Sequence, residues 1–276
     1  MLDLPPLFKV GLTPLTHEDW LMWTDDLSRY LREKERLFAE RMQDVFVAEP
    51  DTEPSQNECL DLVRGHIFER PDLTDASSGN GREGDAPPLI EASRLVADDL
   101  VIMRRGAKAW RLAAACVCFP SSWDLRQKFA KPMDEIHGSV PGFSQGTRHA
   151  QMISRIFDHL DPAQLLLRWN WSLYRDDKLY HPVEAAPVQI VDDDIYTADP
   201  FIRTERQTLR KMPVSGDILF AIGIDVKRLS DLPKTAEARQ NIRTLAQHLD
   251  MLTADECAYK GLTETRHALV QTMSNW

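Results

Sequence analysis

His137 stands in the segment from Cys118 to Phe143, CFPSSWDLRQKFAKPMDEIHGSVPGF, between Ile136 and Gly138, with Val140, Pro141 and Gly142 after it. Proline and glycine can hold such a loop in a defined non-helical shape, so one imidazole can be offered to a flat cofactor at close backbone range. A haem iron can be held by a single axial ligand, whereas a zinc site takes three or four side chains. On local chemistry alone a structural or solvated histidine is the stronger reading, because one imidazole in a loop fixes no reaction.

A second group is Arg203, Glu205, Arg206, Gln207 and Arg210, in FIRTERQTLR. On a helix Arg203, Arg206, Gln207 and Arg210 share one face at i, i+3, i+4 and i+7. That face suits an anion such as haem propionates, or a polar substrate cavity with Glu205 beside it. A solvated, salt-bridged helix face is the competing reading. In LRWNWSLY, strand alternation puts Trp169 and Trp171 on one face and Arg168 and Asn170 on the other. The tryptophans read as core, which leaves Arg168 and Asn170 to point elsewhere, into a site. Trp123 either packs on a cofactor or caps the sheet. Cys116 and Cys118, two apart in a strand, read as small buried thiols. The histidines at 17, 66, 149, 159, 181, 248 and 267 show no ligand spacing. No glycine-rich phosphate loop, G-x-S-x-G elbow or H-E-x-x-H occurs, so hydrolase and nucleotide-binding readings find no support.

The elements that must position these residues follow from periodicity. A helix is predicted from Thr16, an N-cap, with Trp20, Trp23, Leu27, Tyr30 and Leu31 at helical spacing, and a second from Ser55 to Arg70. Residues 74–88, TDASSGNGREGDAPP, read as a mobile loop. LVADDLVIMRR and AWRLAAACVCFPSS around Gly106 read as a β-hairpin. A helix is expected over 148–160, a strand from Leu165, a helix over Phe201 to Arg210, a strand over Asp217 to Val226, and helices over Ala236 to Leu249 and Ala254 to Trp276. Helices flanking an antiparallel sheet make an α+β protein.

Of the 276 residues 43% are hydrophobic, enough for a substantial core, and 33 Lys and Arg against 43 Asp and Glu give a net charge of −10. That balance disfavours nucleic acid as a partner. Four cysteines without C-x-x-C spacing suit a reducing compartment. Residues 1–16 lack the pattern of a signal peptide, and no stretch of about 18 apolar residues occurs, so no membrane partner and a cytoplasmic location are expected.

CFPSSWDLRQK, MDEIHGSVPGF, LRWNWSLY, FIRTERQTLRKMPVSGDILFAIGI and AYKGL, in this order, resemble the motif series of the haem-dependent oxidative N-demethylase alpha-subunit-like family. The resemblance runs from about Leu15 to Leu262. It implies a PAS-like antiparallel sheet flanked by helices, with N-terminal and C-terminal helical extensions. The parts would be residues 1–73, helical; the loop 74–88; a PAS-like haem-binding core over 89–232; and C-terminal helices over 233–276, all integrated in one domain. It also implies haem b ligated through its iron by His137, with Arg203, Arg210 and Trp123 as cofactor contacts and Glu205, Arg206 and Gln207 as catalytic residues. The activity implied is that of a monooxygenase, oxidising a small methylated amine with O₂ to a demethylated amine and formaldehyde. Electrons would come from NADPH through flavin and iron–sulfur reductase partner subunits. The family pattern has Pro where this chain has Ser139, so the ligand loop is expected to be less rigid. A haem PAS module that senses O₂, NO or another small ligand is the alternative, and a haem-free scaffold is a third.

Overall fold

In the computed structural model the described residues are 4–8, 11–70, 86–136, 138, 140–141, 147–182 and 197–276. Seven strands form one antiparallel sheet: β1 (Thr13–Leu15), β2 (Phe46–Ala48), β3 (Asp99–Arg105), β4 (Trp110–Cys116), β5 (Leu165–Tyr174), β6 (Phe201–Lys211) and β7 (Ile218–Arg228). Their spatial order is β1-β5-β6-β7-β3-β4-β2. Around it lie α1 (Leu27–Val45), α2 (Glu53–Glu69), α3 (Pro88–Ser93), α4 (Leu125–Lys128), α5 (Met133–Ile136), α6 (Arg148–His159), α7 (Ala236–Asp250), α8 (Ala254–Tyr259) and α9 (Arg266–Asn275). The fold is therefore α+β, with an open antiparallel sheet flanked by helices, consistent with a PAS-like sheet.

Three sequence expectations are corrected. The segment from Phe201 is not a helix but strand β6, paired along its whole length with β5 and β7. Ile202, Thr204 and Thr208 are β-branched at alternate positions, which favours the pleated form. The first helix begins at Leu27, not Thr16. Residues 19–22 use their backbone groups in tertiary bonds that a helix would have consumed. Arg206 donates to the carbonyls of Asp19 and Trp20, and the Met22 amide donates to Asp98 Oδ2 at 3.0 Å. Gly223 of β7 makes room for this segment, since a Cβ there would lie 2.7 Å from Met22 Cβ. The last expected helix is split into α8 and α9, with Gly261 between them at φ +68°. Residues 71–85, most of the expected loop, lie outside the described residues.

The sheet has two different faces. On one, Arg104 of β3 reaches Asp217 and Ser55 of α2 at 2.9 and 2.8 Å, and Lys34 of α1 is wholly buried. Its ammonium donates to the carbonyls of Ser93, Val96 and Asp98 and to Ser93 Oγ, at 2.6–3.1 Å. Leu37, Cys59, Val63, Leu89, Leu100 and Ile102 belong to the main core. Helices α7 to α9 form a second core with Trp171 and Ile202. Alternation turns the intervening residues to the opposite face, where Val101 and Met103 border a cavity. All four cysteines are buried as free thiols.

Candidate functional site

The cavity measures about 590 Å³ and lies under five strands, a size suited to a cofactor or small-molecule pocket. Residues from β7, β3 and β4 make one part of its wall apolar: Phe220, Ile222, Val101, Met103 and Leu112, with Ile153 and Phe157 of α6 opposite. Residues from β5 and β6 make the other part polar: Arg168, Asn170, Ser172, Tyr174, Glu205 and Gln207. Strand order therefore produces a pocket that grades from apolar to polar across the sheet, over four strand spacings of roughly 19 Å in all. Ser121, Trp123, Lys128, Ile136 and Val140, and at the end of α8 Tyr259 and Lys260, contribute further walls.

Register builds the polar end. Asn170 pairs with Glu205 and Arg168 with Gln207, so the four side chains meet on one face. Arg168 Nη1 donates to Gln207 Oε1 at 2.7 Å, and Gln207 Nε2 donates to Glu205 Oε2 at 2.6 Å. Asn170 Nδ2 donates to the same carboxylate oxygen at 3.2 Å. The guanidinium charge is thus relayed through an amide to a carboxylate that is only 8% exposed. Burial pushes the Glu205 carboxyl upward, yet a Ser121 hydrogen bond, the Lys260 and Arg203 charges and Asn170 outweigh it and hold it below the usual carboxylate range.

Lys260 is the counterpart. Its ammonium donates to Ser172 Oγ at 2.9 Å and to the Trp171 carbonyl at 3.3 Å. Burial lowers it from 10.5 to about 8, with the Glu205 charge opposing the fall and Arg168 adding to it. Lys128 stands over the face of Trp123, 4.7 Å from the ring centroid, and burial lowers its amine too, again opposed by Glu205. Tyr174 Oη and Ser122 Oγ are 3.0 Å apart. Burial raises the Tyr174 phenol. The result is an ionised carboxylate among cations and neutral hydrogen-bonding groups. Such a site can fix the ammonium of an amine and pass a proton at pH values near 8.

The expected site residues divide. Glu205, Gln207 and Trp123 line the cavity. Arg203 shares their face but is spent on structure: it donates to Ser121 Oγ and to the carbonyls of Phe119, Lys178 and Leu179, at 2.8–3.2 Å. Strand alternation sends Arg206 and Arg210 to the opposite face. There Arg206 clamps residues 19 and 20, and Arg210 stacks on Trp20 at 4.3 Å. The single face expected for Arg203, Arg206, Gln207 and Arg210 is replaced by two, because that grouping assumed a helix. Arg168 and Asn170 point into the site, as their alternation with the tryptophans implies. His137 and Ser139 lie outside the described residues, while Ile136 and Val140, their neighbours in sequence, line the cavity.

Lys260, Lys128 and Ser121 are among the cavity residues that sequence reasoning passed over. Their signal was membership of the motifs AYKGL and CFPSSWDLRQK, in which no single residue announces a role. His181, without a partner by spacing, pairs with Asp176 at 2.8 Å beside Tyr174. Among the described residues no three His, Cys, Asp or Glu side chains gather to hold a metal ion, and no helix is long and apolar enough to cross a membrane.

The donor set and the shape of the cavity fit a cofactor that brings its own metal. A porphyrin supplies four nitrogens to its iron, buries an apolar ring and carries two carboxylates at one edge. The apolar wall matches the ring in character. A family model described as haem-dependent oxidative N-demethylase, alpha subunit-like, matches residues 11–270 of the chain. No curated protein matches it.

Proposed function

Because the chain belongs to the haem-dependent oxidative N-demethylase alpha-subunit-like family, we propose that it is a haem-binding oxygenase subunit that converts a small methylated amine to the demethylated amine and formaldehyde. The observation that carries the reading is the cavity itself. Its apolar wall suits a macrocycle, and its polar end holds one buried carboxylate able to receive a cationic amine. Haem, when bound, supplies the redox chemistry with O₂. His137 is proposed as its axial ligand, supported by the resemblance and by Ile136 and Val140 at the cavity wall.

The remaining roles belong to the chain. Glu205 binds the substrate ammonium, and the Arg168–Gln207 relay together with Asn170 fixes the carboxylate in one orientation. Lys260 delivers or takes up a proton near Ser172. Val101, Met103, Leu112 and Phe157 exclude water from the apolar part. The alpha-subunit description supports partner subunits. We assign them the transfer of electrons from NADPH through flavin and iron–sulfur centres.

The test is turnover by the haem-loaded protein, reduced by a surrogate reductase in air, with a panel of methylated amines. Formaldehyde release is expected, falling at least about 100-fold in Glu205→Gln, which keeps the shape but removes the charge that holds the amine. Haem-loaded, reduced protein that releases no formaldehyde from any methylated amine would overturn the proposal.

A further inference from the structure

We infer that Lys128 and Lys260, with Arg168 beside them, form a carboxylate-receiving end of the cavity that takes the two propionates of the haem. The inference rests on the haem reading above and replaces the arginines of β6 as the expected propionate contacts.

In this fold a buried ammonium that serves structure alone is fully partnered. Lys34 has an oxygen partner for every donor and one to spare. Lys260 has two neutral oxygen partners for three donors, with the Phe8 ring 5.8 Å away. Lys128 has a tryptophan face and, among the described residues, neither an oxygen partner nor a carboxylate within ion-pair distance for its ammonium. Both cations border the cavity and both lie within electrostatic reach of Glu205.

One buried carboxylate thus faces the two ammonium groups, and its Oε2 already accepts from Gln207 and Asn170. The other acids of the cavity wall do not redress the balance. Asp124 caps α4 through the Arg126 amide and the Gln127 side chain, while Glu135 and Lys131 are both exposed. Partly desolvated cations with unused donors favour anionic oxygen, and carboxylates offer the strongest neutral-pH match. The β6 arginines are not available for it: Arg203 is consumed by four oxygens, and Arg206 and Arg210 are on the other face. With the propionates at this end, the macrocycle extends toward Val101, Met103 and Leu112, which is the apolar direction of the pocket.

The experiment titrates full-length protein freed of cofactor with haemin and, separately, with haemin dimethyl ester, following the absorption of the bound porphyrin. Wild type should bind the diacid at least about 10-fold more tightly than the ester, as expected for even one charge-assisted contact. Lys128→Met with Lys260→Met should weaken diacid binding to near the ester value and leave ester binding unchanged, whereas the two Lys→Arg variants should keep the preference. Equal binding of diacid and ester by wild type, or a double methionine variant that keeps the preference, overturns the inference while leaving the haem reading intact. So does a double variant that keeps it but loses a spectral response to an N-methyl amino acid, since the wall would then serve a carboxylated substrate. Failure of wild type to bind either porphyrin overturns both.

Discussion

Replacing Lys260 by Met in the protein without cofactor should change how stability depends on pH. Burial lowers this amine from 10.5 to about 8. At about 1.4 kcal/mol per tenfold in the protonation equilibrium, the folded chain disfavours the ammonium by about 3 kcal/mol. The sign follows from proton counts. The unfolded chain keeps the proton up to about pH 10.5 and the folded chain releases it near pH 8, so between these values the unfolded state holds more protons and stability rises with pH. Below about pH 8 both states are protonated and the penalty is felt in full. Lys260→Met removes the penalty but also the bonds to Ser172 and Trp171, about 1 kcal/mol each. Near pH 7 the variant should therefore match or modestly exceed wild type. By about pH 10 wild type should have gained 2 to 3 kcal/mol relative to it. Urea unfolding of both proteins at several pH values between about 7 and 10 measures the gap, and groups that titrate alike in the two cancel. A gap that stays constant over that range would refute the placement of this amine in a desolvated, cationic end of the cavity.

Arg206→Ala should cost about 1–3 kcal/mol of unfolding free energy, through the lost bonds to the carbonyls of residues 19 and 20, and leave haem affinity unchanged in a porphyrin titration, because Arg206 faces away from the cavity. Arg203→Ala should cost at least about 3 kcal/mol in urea unfolding, since it strands the buried carbonyls of Phe119 and Leu179, and should also weaken haem binding by freeing Ser121 from its place beside Glu205. Gly223→Ala should cost about 1–3 kcal/mol by crowding Met22, and combining it with Met22→Ala should lose less than the two single costs together.

Much of the frame was legible because burial on one face leaves a period in the sequence. β5, β7, the β3–β4 hairpin, α2, α6 and α7 each carry an uninterrupted pattern, and each falls within a few residues of its expected limits. β6 was misread for a physical reason. Its charged residues recur at three and four as well as at two, and both faces of a central strand are covered here, one by the cavity and one by residues 19–22, so neither face is purely apolar. The consequence reached the site: alternation separates Glu205 and Gln207 from Arg206 and Arg210, which helical spacing had grouped. Arg168 and Asn170 were legible because tryptophans at alternate positions claim the core. Lys260 was not, because its chemistry arises only when the chain end folds against β5, some ninety residues earlier. The helix expected from Thr16 failed likewise on tertiary bonds, those that Arg206 and Asp98 make to the segment before α1.

The most direct measurement of the central claim is the visible absorption of the purified chain, before and after addition of haemin, beside that of His137→Ala. A Soret band at one haem per chain is expected, and a variant that loses it or shows altered coordination. A colourless wild-type protein that takes up no added haem would contradict the account.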